Sequence, residues 1–257
     1  MNLRGFSYSE LVDRNWPFID KALQERISSA RLFFAGCGGG GLIAQAAARV
    51  GFSNFIFADG DQVEISNLNR QPFYLSDLGL PKTTALKSKI LDINPLANIQ
   101  TIQEYLRADN SEEPIRKSDI IINTVDAGEV VFKIIELGQQ YNKHVVTPIN
   151  IGYGGMVMVF NGETKSLHQI LQTRSVSGID FYKCILERMD IEIPTYICRN
   201  LAGLFEGVAS RGYNPQLGIG VEVVTSIVLT VMVRIRAGLH VPLMPSYIYK
   251  DFFSSNI

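Results

Sequence analysis

The amino-acid sequence predicts an α/β fold with a doubly wound, mostly parallel β-sheet and antiparallel additions toward the C-terminal side. Three observations predict it. Short apolar runs alternate with helix-prone segments through residues 32–150, a glycine-rich turn follows the first of these runs, and the alternation changes after residue 155. Strands that alternate with helices favour a parallel sheet covered on both faces.

The first part of the predicted sheet is a strand–turn–helix–strand unit. Residues 32–35 form an apolar run stopped by glycine, which is typical of a buried strand, and the alanine-rich residues 42–50 are predicted to be helical. A second strand is predicted at 54–58. After a long loop, a helix is predicted to begin with Pro81 in its first position and to end near Asn94. This order predicts a Rossmann-like sheet.

The rest of the chain continues the alternation and then becomes harder to interpret. Residues 155–167 alternate less cleanly, which indicates antiparallel strands, and 161–214 are rich in polar and turn residues, so an irregular crossover or lid is predicted there. Residues 215–257 are predicted to form a C-terminal helix and tail. The remaining strands are predicted at 98–103, 118–126 and 144–150, with a helix at 129–143.

Composition narrows the classes of protein. With 257 residues, 24 basic against 25 acidic, the chain is expected to form one domain over 1–257, and its charge balance argues against a nucleic-acid duplex or an anionic membrane as the partner. No secretory signal is expected at the N-terminus. The apolar stretch from Leu217 has only eleven uncharged residues between Glu222 and Arg234, fewer than a membrane span needs, so a buried helix is predicted.

Three cysteines without paired spacing argue against a disulfide framework and against a structural zinc site. A cytoplasmic location is therefore expected.

The glycine run indicates a phosphate-binding turn. Five of the six residues in "GCGGGG", 36–41, are glycine, and they follow a strand and open a helix, so that backbone N–H groups can face phosphates. Asp59 ends the next strand, 18 residues after Gly41, where an acid can accept hydrogen bonds from ribose hydroxyls. An NAD enzyme would show the same features. The glycines singled out for cofactor binding are Gly36, Gly38, Gly39 and Gly41.

Charged residues downstream favour a triphosphate over a dinucleotide. Arg70 lies in "SNLNRQ", and Lys82 begins the helix after "LP". Cations suit the β- and γ-phosphates of ATP, whereas a dinucleotide pyrophosphate is usually held by backbone amides. Asp126 ends the strand "IIINTVD" at the carboxyl edge of the sheet, where it could hold Mg²⁺ on the phosphates.

The ordered set "GCGGGG", "DGDQVEISNLNRQ", "GLPK" and "NTVD" resembles the ThiF/MoeB/HesA family, the bacterial relatives of ubiquitin-activating enzymes. The resemblance covers residues 10–160, the expected nucleotide-binding core, and implies an adenylyltransferase. In that reaction a carboxylate, typically the C-terminus of a small ubiquitin-like protein or a peptide, attacks ATP to give an acyl-adenylate and pyrophosphate.

The resemblance also implies residue roles. It assigns the ribose to Asp59, the magnesium ion to Asp126, and a place in the same nucleotide site to Asp61. Arg14, in "DRNWPF", is implied to reach the phosphates of the opposite subunit of a homodimer. The phosphates are implied to contact Asn67, Arg70 and Lys82.

The chain departs from the family pattern in two places. Ala127 and Val131 stand where the family often has an asparagine and an arginine, and the paired zinc cysteines of many members are missing. Some relatives transfer the acyl group to a cysteine, which makes Cys184 and Cys198 candidates for a thioester, each with a packing role as the alternative.

Four functions therefore stay open at the level of sequence. An activating enzyme for a protein or peptide carboxylate is the leading one. A modifying enzyme could use the adenylate for cyclisation on a tRNA base or a ribosomal peptide. The others are an NAD(P)-dependent oxidoreductase and a scaffold that binds partners without catalysis.

Overall fold

The strands and helices come from a computed structural model that describes residues 5–126, 128–173, 178–189, 194–211 and 215–253. The strands are β1 (Arg31–Ala35), β2 (Asn54–Ala58), β3 (Asn98–Ile102), β4 (Ile120–Asn123), β5 (His144–Ile151), β6 (Gly154–Phe160) and β7 (Tyr247–Asp251). The helices are α1 (Tyr8–Val12), α2 (Lys21–Ser29), α3 (Gly39–Val50), α4 (Lys82–Ile93), α5 (Ala108–Lys117), α6 (Glu129–Gln140), α7 (Leu167–Leu171), α8 (Gly178–Arg188), α9 (Thr195–Arg211) and α10 (Gly218–Ala237).

The seven strands form one sheet in the order β3-β2-β1-β4-β5-β6-β7. The first five strands in this order pair in parallel, whereas β6 runs antiparallel to β5 and to β7. The predicted fold class, a mostly parallel sheet with antiparallel additions from the C-terminal part of the chain, is confirmed. The strand order changes direction between β1 and β4: β2 and β3 follow β1 on one side, whereas β4 and β5 lie on the other. Sheets of this type bind ligands at that point.

Both faces of the sheet are buried, which explains why the central strands are apolar throughout. In β1, Leu32 and Phe34 belong to one core cluster, and Phe33 and Ala35 belong to the other, because successive side chains point to opposite faces. The first cluster packs beneath α2, α3, α4 and α10, and the second beneath α5, α6, α7 and α8. The helices packed on both faces of the sheet fix the positions of its strand ends, where the candidate site lies.

Several predicted boundaries need correction. Helix α3 begins at Gly39 rather than at residue 42, so the glycines form its first turn, and Pro81 is the residue before α4 rather than its first residue. The region 161–214 was expected to be irregular, but its described residues contain α7, α8 and α9. The predicted tail contains β7, which pairs with β6. In the region 161–214, polar residues on the exposed faces of the helices explain why its composition resembled that of an irregular segment.

Helix α10 is long and apolar enough to cross a membrane by length and composition alone. Here it packs against α2, α3, β5 and β6. Val224, Val228 and Met232 are buried in that contact. The packing explains its apolar sequence as that of a core helix, as predicted.

Candidate active site

The candidate site lies at the carboxyl ends of β1, β2, β4 and β5. The turn from β1 into α3 contains the glycine run, and Gly36 has a φ of 93°, in the left-handed region that favours glycine. A Cβ on Gly36 would lie 2.8 Å from the carbonyl oxygen of Thr124, so the turn packs tightly on the loop after β4. This contact brings the glycine turn next to Asp126.

The other glycines of the turn differ in what surrounds them. Gly38 caps α3 beside the Gln71 side chain, and Gly41 packs under Pro72. A Cβ on Gly39 would meet only Val221, at 3.8 Å, and Gly39 lines a cavity. Packing within the chain therefore leaves Gly39 open to a ligand at the positive end of α3.

Asp59 holds the glycine turn in place. Its carboxylate accepts hydrogen bonds from the backbone N–H of Cys37, at 2.7 Å, and from that of Asp61, at 2.8 Å. Burial raises the pKa of Asp59, and the two N–H donors oppose this shift. Asp59 lies at the end of β2, as predicted for a ribose ligand, but it also has a structural role that sequence reasoning did not assign.

Lys82 is paired with Asp61. The Lys82 side chain is nearly buried, and its ammonium lies 2.8 Å from an oxygen of Asp61, which is 44% exposed. The other oxygen of Asp61 accepts a hydrogen bond from the Tyr105 hydroxyl at 2.7 Å. Burial opposes ionisation of Asp61, but the hydrogen bonds from Lys82 and Tyr105 outweigh it and lower the pKa of the carboxyl. The ion pair with Asp61 thus fixes the Lys82 ammonium near the edge of the sheet where the nucleotide is expected.

The Arg70 guanidinium is fixed by hydrogen bonds to three acceptors. It donates to the Gln216 side chain, to the backbone oxygen of Ser66 at 2.7 Å, and to Asn69 at 2.8 Å. Burial lowers the pKa of Arg70, and attraction to Asp126 opposes that shift. The electrostatic attraction indicates that Arg70 and Asp126 share the same part of the site.

Asn67 shapes the loop that carries Arg70. Its side-chain oxygen accepts a hydrogen bond from the backbone N–H of Glu64 at 3.0 Å, and the residue is buried. Asn67 was expected to contact phosphate, and the structure shows this different contact for it.

A cavity opens beside Asp126, between the ends of β4 and β5 and the helices α8 and α10. Three buried side-chain atoms have no hydrogen-bond partner among the described residues: Oδ1 of Asn123, Oγ1 of Thr147 and Nδ2 of Asn150. Burial raises the pKa of Tyr182 to about 12, and the negative charge of Asp126 adds to the effect. Lining residues include Gly39, Asn123, Asp126, Thr147, Asn150 and Tyr182.

Arg14 is not brought to this site within the chain. It is exposed in a short 3-10 helix, and the adjacent Asn15 donates to the backbone oxygen of Val50 at the far end of α3. A helix the length of α3, 12 residues, spans about 18 Å. Arg14 therefore lies at the opposite end of α3 from the glycine turn.

The two candidate cysteines differ in exposure. Cys184 is half-buried on α8, where its thiol contacts the backbone oxygen of Leu171 at 3.7 Å, whereas Cys198 is exposed on α9. Helix α9 is anchored by Tyr196, whose hydroxyl donates to Asp251 and accepts from the backbone N–H of Tyr153.

Sequence reasoning missed several residues of the site. Gln71 ends the segment "SNLNRQ" and Gln216 lies just before α10, but nothing in the sequence indicates that one packs on Gly38 and the other binds Arg70. Tyr105 has no sequence signal, because it meets Asp61 only through the fold. The polar lining of the cavity likewise depends on which faces of β4 and β5 are covered.

The fold and the residues at this edge of the sheet define a class of protein. Its members are doubly wound α/β proteins with a glycine-rich turn, acidic residues after the strands and cationic side chains fixed by hydrogen bonds or ion pairs. Within that class the chain belongs to the ThiF family, whose model matches residues 8–256. The family predicted from the sequence motifs is confirmed.

Curated relatives agree with this assignment. The molybdopterin-synthase adenylyltransferase of Haemophilus influenzae is 33% identical over 221 residues, which cover 77% of this chain and 89% of that protein. A probable molybdopterin-synthase adenylyltransferase of Porphyra purpurea is 36% identical over 149 residues, covering 56% of this chain and 38% of that protein. Two further relatives are longer than this chain, which spans 32% and 47% of their lengths.

Solved structures share the fold. E. coli MccB with selenomethionine MccA has a TM-score of 0.68 at 18% identity and covers 96% of this chain and 70% of that chain. The structure of PaaA has a TM-score of 0.66 at 20% identity and covers 94% and 65%, respectively. At these identities the likeness shows the architecture alone.

Proposed function

We propose that the chain is an ATP-dependent adenylyltransferase that activates a carboxylate as an acyl-adenylate and releases pyrophosphate. The observation that carries the proposal is the grouping of Arg70, Lys82 and Asp126 around the glycine turn. Two cations near the open end of α3 suit a triphosphate. The names of the curated relatives, adenylyltransferases, support the same reaction.

The chemistry requires those charges. A carboxylate oxygen attacks the α-phosphorus, the bond from that phosphorus to the bridging oxygen breaks, and pyrophosphate leaves with the electron pair. Because both reactants are anions, Arg70 and Lys82 would screen their repulsion and stabilise the departing pyrophosphate. A carboxylate is ionised at neutral pH and needs alignment rather than a general base.

Asp126 would hold Mg²⁺ against the phosphates. Among the described residues no group of three or more acidic, histidine or cysteine side chains could hold a metal. Mg²⁺ is usually bound by one or two carboxylates together with substrate phosphates, so the single carboxylate of Asp126 fits an ion that arrives with ATP. When bound, the ion neutralises phosphate charge.

The proposed partner is a small ubiquitin-like protein or a peptide. A relative in Thermus thermophilus is named sulfur carrier protein adenylyltransferase, and one MccB structure contains MccA. After adenylation, Cys184 and Cys198 are both candidates for a thioester, and of the two Cys198 is the exposed one. A cytoplasmic location accords with the fact that none of the described cysteines is in a disulfide.

We further propose a homodimer in which Arg14 acts on the partner subunit's site, since Arg14 lies at the far end of α3 from its own site. Subunits carrying Arg14→Ala and subunits carrying Asp126→Ala should each be inactive alone, and mixing them should restore activity at one site of the mixed dimer. No recovery on mixing would contradict the assignment.

Calorimetric titration tests the nucleotide class. ATP with Mg²⁺ should bind, and NAD should not. Arg70→Ala should weaken ATP binding, whereas Arg49→Ala, which removes an exposed arginine from the other end of α3, should not. Binding of NAD without a response to ATP would favour the oxidoreductase alternative.

A further inference from the structure

Gln216, just before α10, holds one edge of the Arg70 guanidinium. Its side-chain oxygen accepts a hydrogen bond from Nε of Arg70, and its backbone oxygen accepts one from Nδ2 of Asn69 at 3.3 Å. A Cβ on Gly218 would lie 2.8 Å from the backbone oxygen of Asn69, so the start of α10 also packs closely on this loop. Side-chain and backbone contacts therefore join the residues before α10 to the loop that contains Arg70.

The contacts of Arg70 leave one of its nitrogen atoms available. Nη1 donates to the backbone oxygen of Ser66 and to the side-chain oxygen of Asn69, and Nε donates to Gln216. No residue in the described part of the chain accepts a hydrogen bond from Nη2. Because a guanidinium is planar and rigid, fixing Nε and Nη1 also fixes the direction of the N–H groups on Nη2. Such fixed donors suit a phosphate oxygen.

The acceptors that hold Arg70 are all uncharged. Gln216 and Asn69 offer amide oxygens, and Ser66 offers a backbone oxygen. None of the described carboxylates forms an ion pair with Arg70. A carboxylate in the place of the Gln216 amide would bind the guanidinium more strongly, but it would also neutralise the charge that a phosphate needs. A neutral acceptor orients the cation without this loss.

We propose that Gln216 is a positioning residue for the reaction, which orients the Arg70 guanidinium toward the phosphates through a neutral hydrogen bond. The inference rests on the proposed adenylation and adds a residue that acts through Arg70 rather than on the nucleotide. Without its anchor, the arginine side chain would sample several rotamers and would have to be ordered during the reaction. Loss of the anchor should therefore slow the chemical step.

Gln216→Met removes the acceptor while keeping the length of the side chain. The backbone contact with Asn69 remains, so the loop should stay docked on the start of α10. Pyrophosphate exchange at saturating ATP, with peptides that have a free C-terminal carboxylate, should slow about tenfold. ATP affinity measured by calorimetry should change less than about threefold, because orientation matters most in the transition state. Exchange at the wild-type rate would overturn the proposal.

Gln139→Met is the matched control. Gln139 also joins a helix to a loop, through the backbone oxygen of Thr164 at 2.7 Å, but it lies near the end of α6 that is farther from Asp126. The control should leave the exchange rate unchanged. A loss of exchange equal to that of Gln216→Met would overturn the proposal, since it would show that any such contact has this effect.

Gln216→Glu tests the need for a neutral acceptor. The variant keeps an oxygen in the same place but gives Arg70 a counter-ion, so exchange should slow at least about tenfold even though the guanidinium is held more firmly. Exchange as fast as that of the wild type would contradict the proposal.

Combining Gln216→Met with Arg70→Ala separates positioning from a structural role. If Gln216 acts through Arg70, the glutamine substitution should slow exchange by less than about twofold once Arg70 is alanine, because interacting residues are not additive. The same tenfold loss in both backgrounds would show a structural role and overturn the proposal. No exchange by the wild-type protein would contradict the adenylation on which the proposal rests, and the proposal with it.

Discussion

Asp61→Asn isolates the ion pair that holds Lys82. The substitution keeps the size of the side chain and one acceptor oxygen but removes the negative charge 2.8 Å from the lysine ammonium. Because the Lys82 side chain is only 8% exposed, its charge would then lie in a poorly solvated position without its counter-ion. The variant should be less stable than the wild type at neutral pH.

The magnitude follows from the exposure of the two partners. Breaking a fully buried ion pair costs about 3–5 kcal/mol, since the remaining charge is left unpaired. Asp61 is 44% exposed, however, so water can reach the open side of the pair and screen it. We therefore expect a loss of about 1–2 kcal/mol in the free energy of unfolding, which combines the discounted pair with a weaker hydrogen bond.

The loss should depend on pH in a defined direction. The folded-state pKa of Asp61 lies below its ordinary value of 3.8, so the stabilisation is present above that value and is lost as pH falls through the folded-state pKa. Urea unfolding of both proteins, from neutral pH to well below 3.8, measures it. The difference between them should shrink toward the acidic end.

Asp180→Asn is the control, because Asp180 pairs with Lys183 on an exposed surface, where ion pairs contribute little. A variant Asp61→Asn as stable as the wild type at neutral pH, or a difference that persists unchanged at the acidic end, would contradict the role assigned to the Asp61–Lys82 pair.

The remaining predictions concern the reaction. Arg70→Ala and Asp126→Ala should each slow pyrophosphate exchange about 10²- to 10³-fold in a folded protein, because the first removes a cation from the reacting phosphates and the second removes the carboxylate that would hold Mg²⁺ on them; circular dichroism checks the fold, and full exchange by either variant would remove its assigned role. Asp59→Ala should weaken ATP binding, measured by calorimetry, more than it slows the reaction of bound ATP. The reason is that a ribose contact changes little between the ground state and the transition state. Cys184→Ser and Cys198→Ser should leave exchange nearly unchanged, since a thiol would act only after the adenylate forms; loss of exchange in either folded variant would contradict this order.

The parallel part of the fold could be predicted from the sequence because its strands are buried on both faces. A run such as "LFFA" in β1 has few alternatives, and the glycine turn after it marks the helix start to within a few residues. The region 161–214 could not be predicted in this way. Its helices are partly exposed, so polar residues on one face obscure the apolar pattern on the other.

The site could be predicted only in part, for a similar reason. Motif spacing predicted a shared site for Asp59, Arg70, Lys82 and Asp126, and the fold brings them to the same edge of the sheet. It could not show that Lys82 is paired with Asp61, because that contact depends on the path of the loop between β2 and α4. The cavity lining was also out of reach, since it depends on helices that pack against the strand ends.

Pyrophosphate exchange is the most direct test of the central claim, that ATP is a reagent consumed at its α-phosphate. Labelled pyrophosphate is incubated with the protein, ATP, Mg²⁺ and peptides with a free C-terminal carboxylate, and with the same peptides ending in an amide. Label should enter ATP only with the free carboxylate, and Arg70→Ala should reduce the rate. Label entering ATP equally with the amidated peptides, or no label entering ATP with either set, would contradict it.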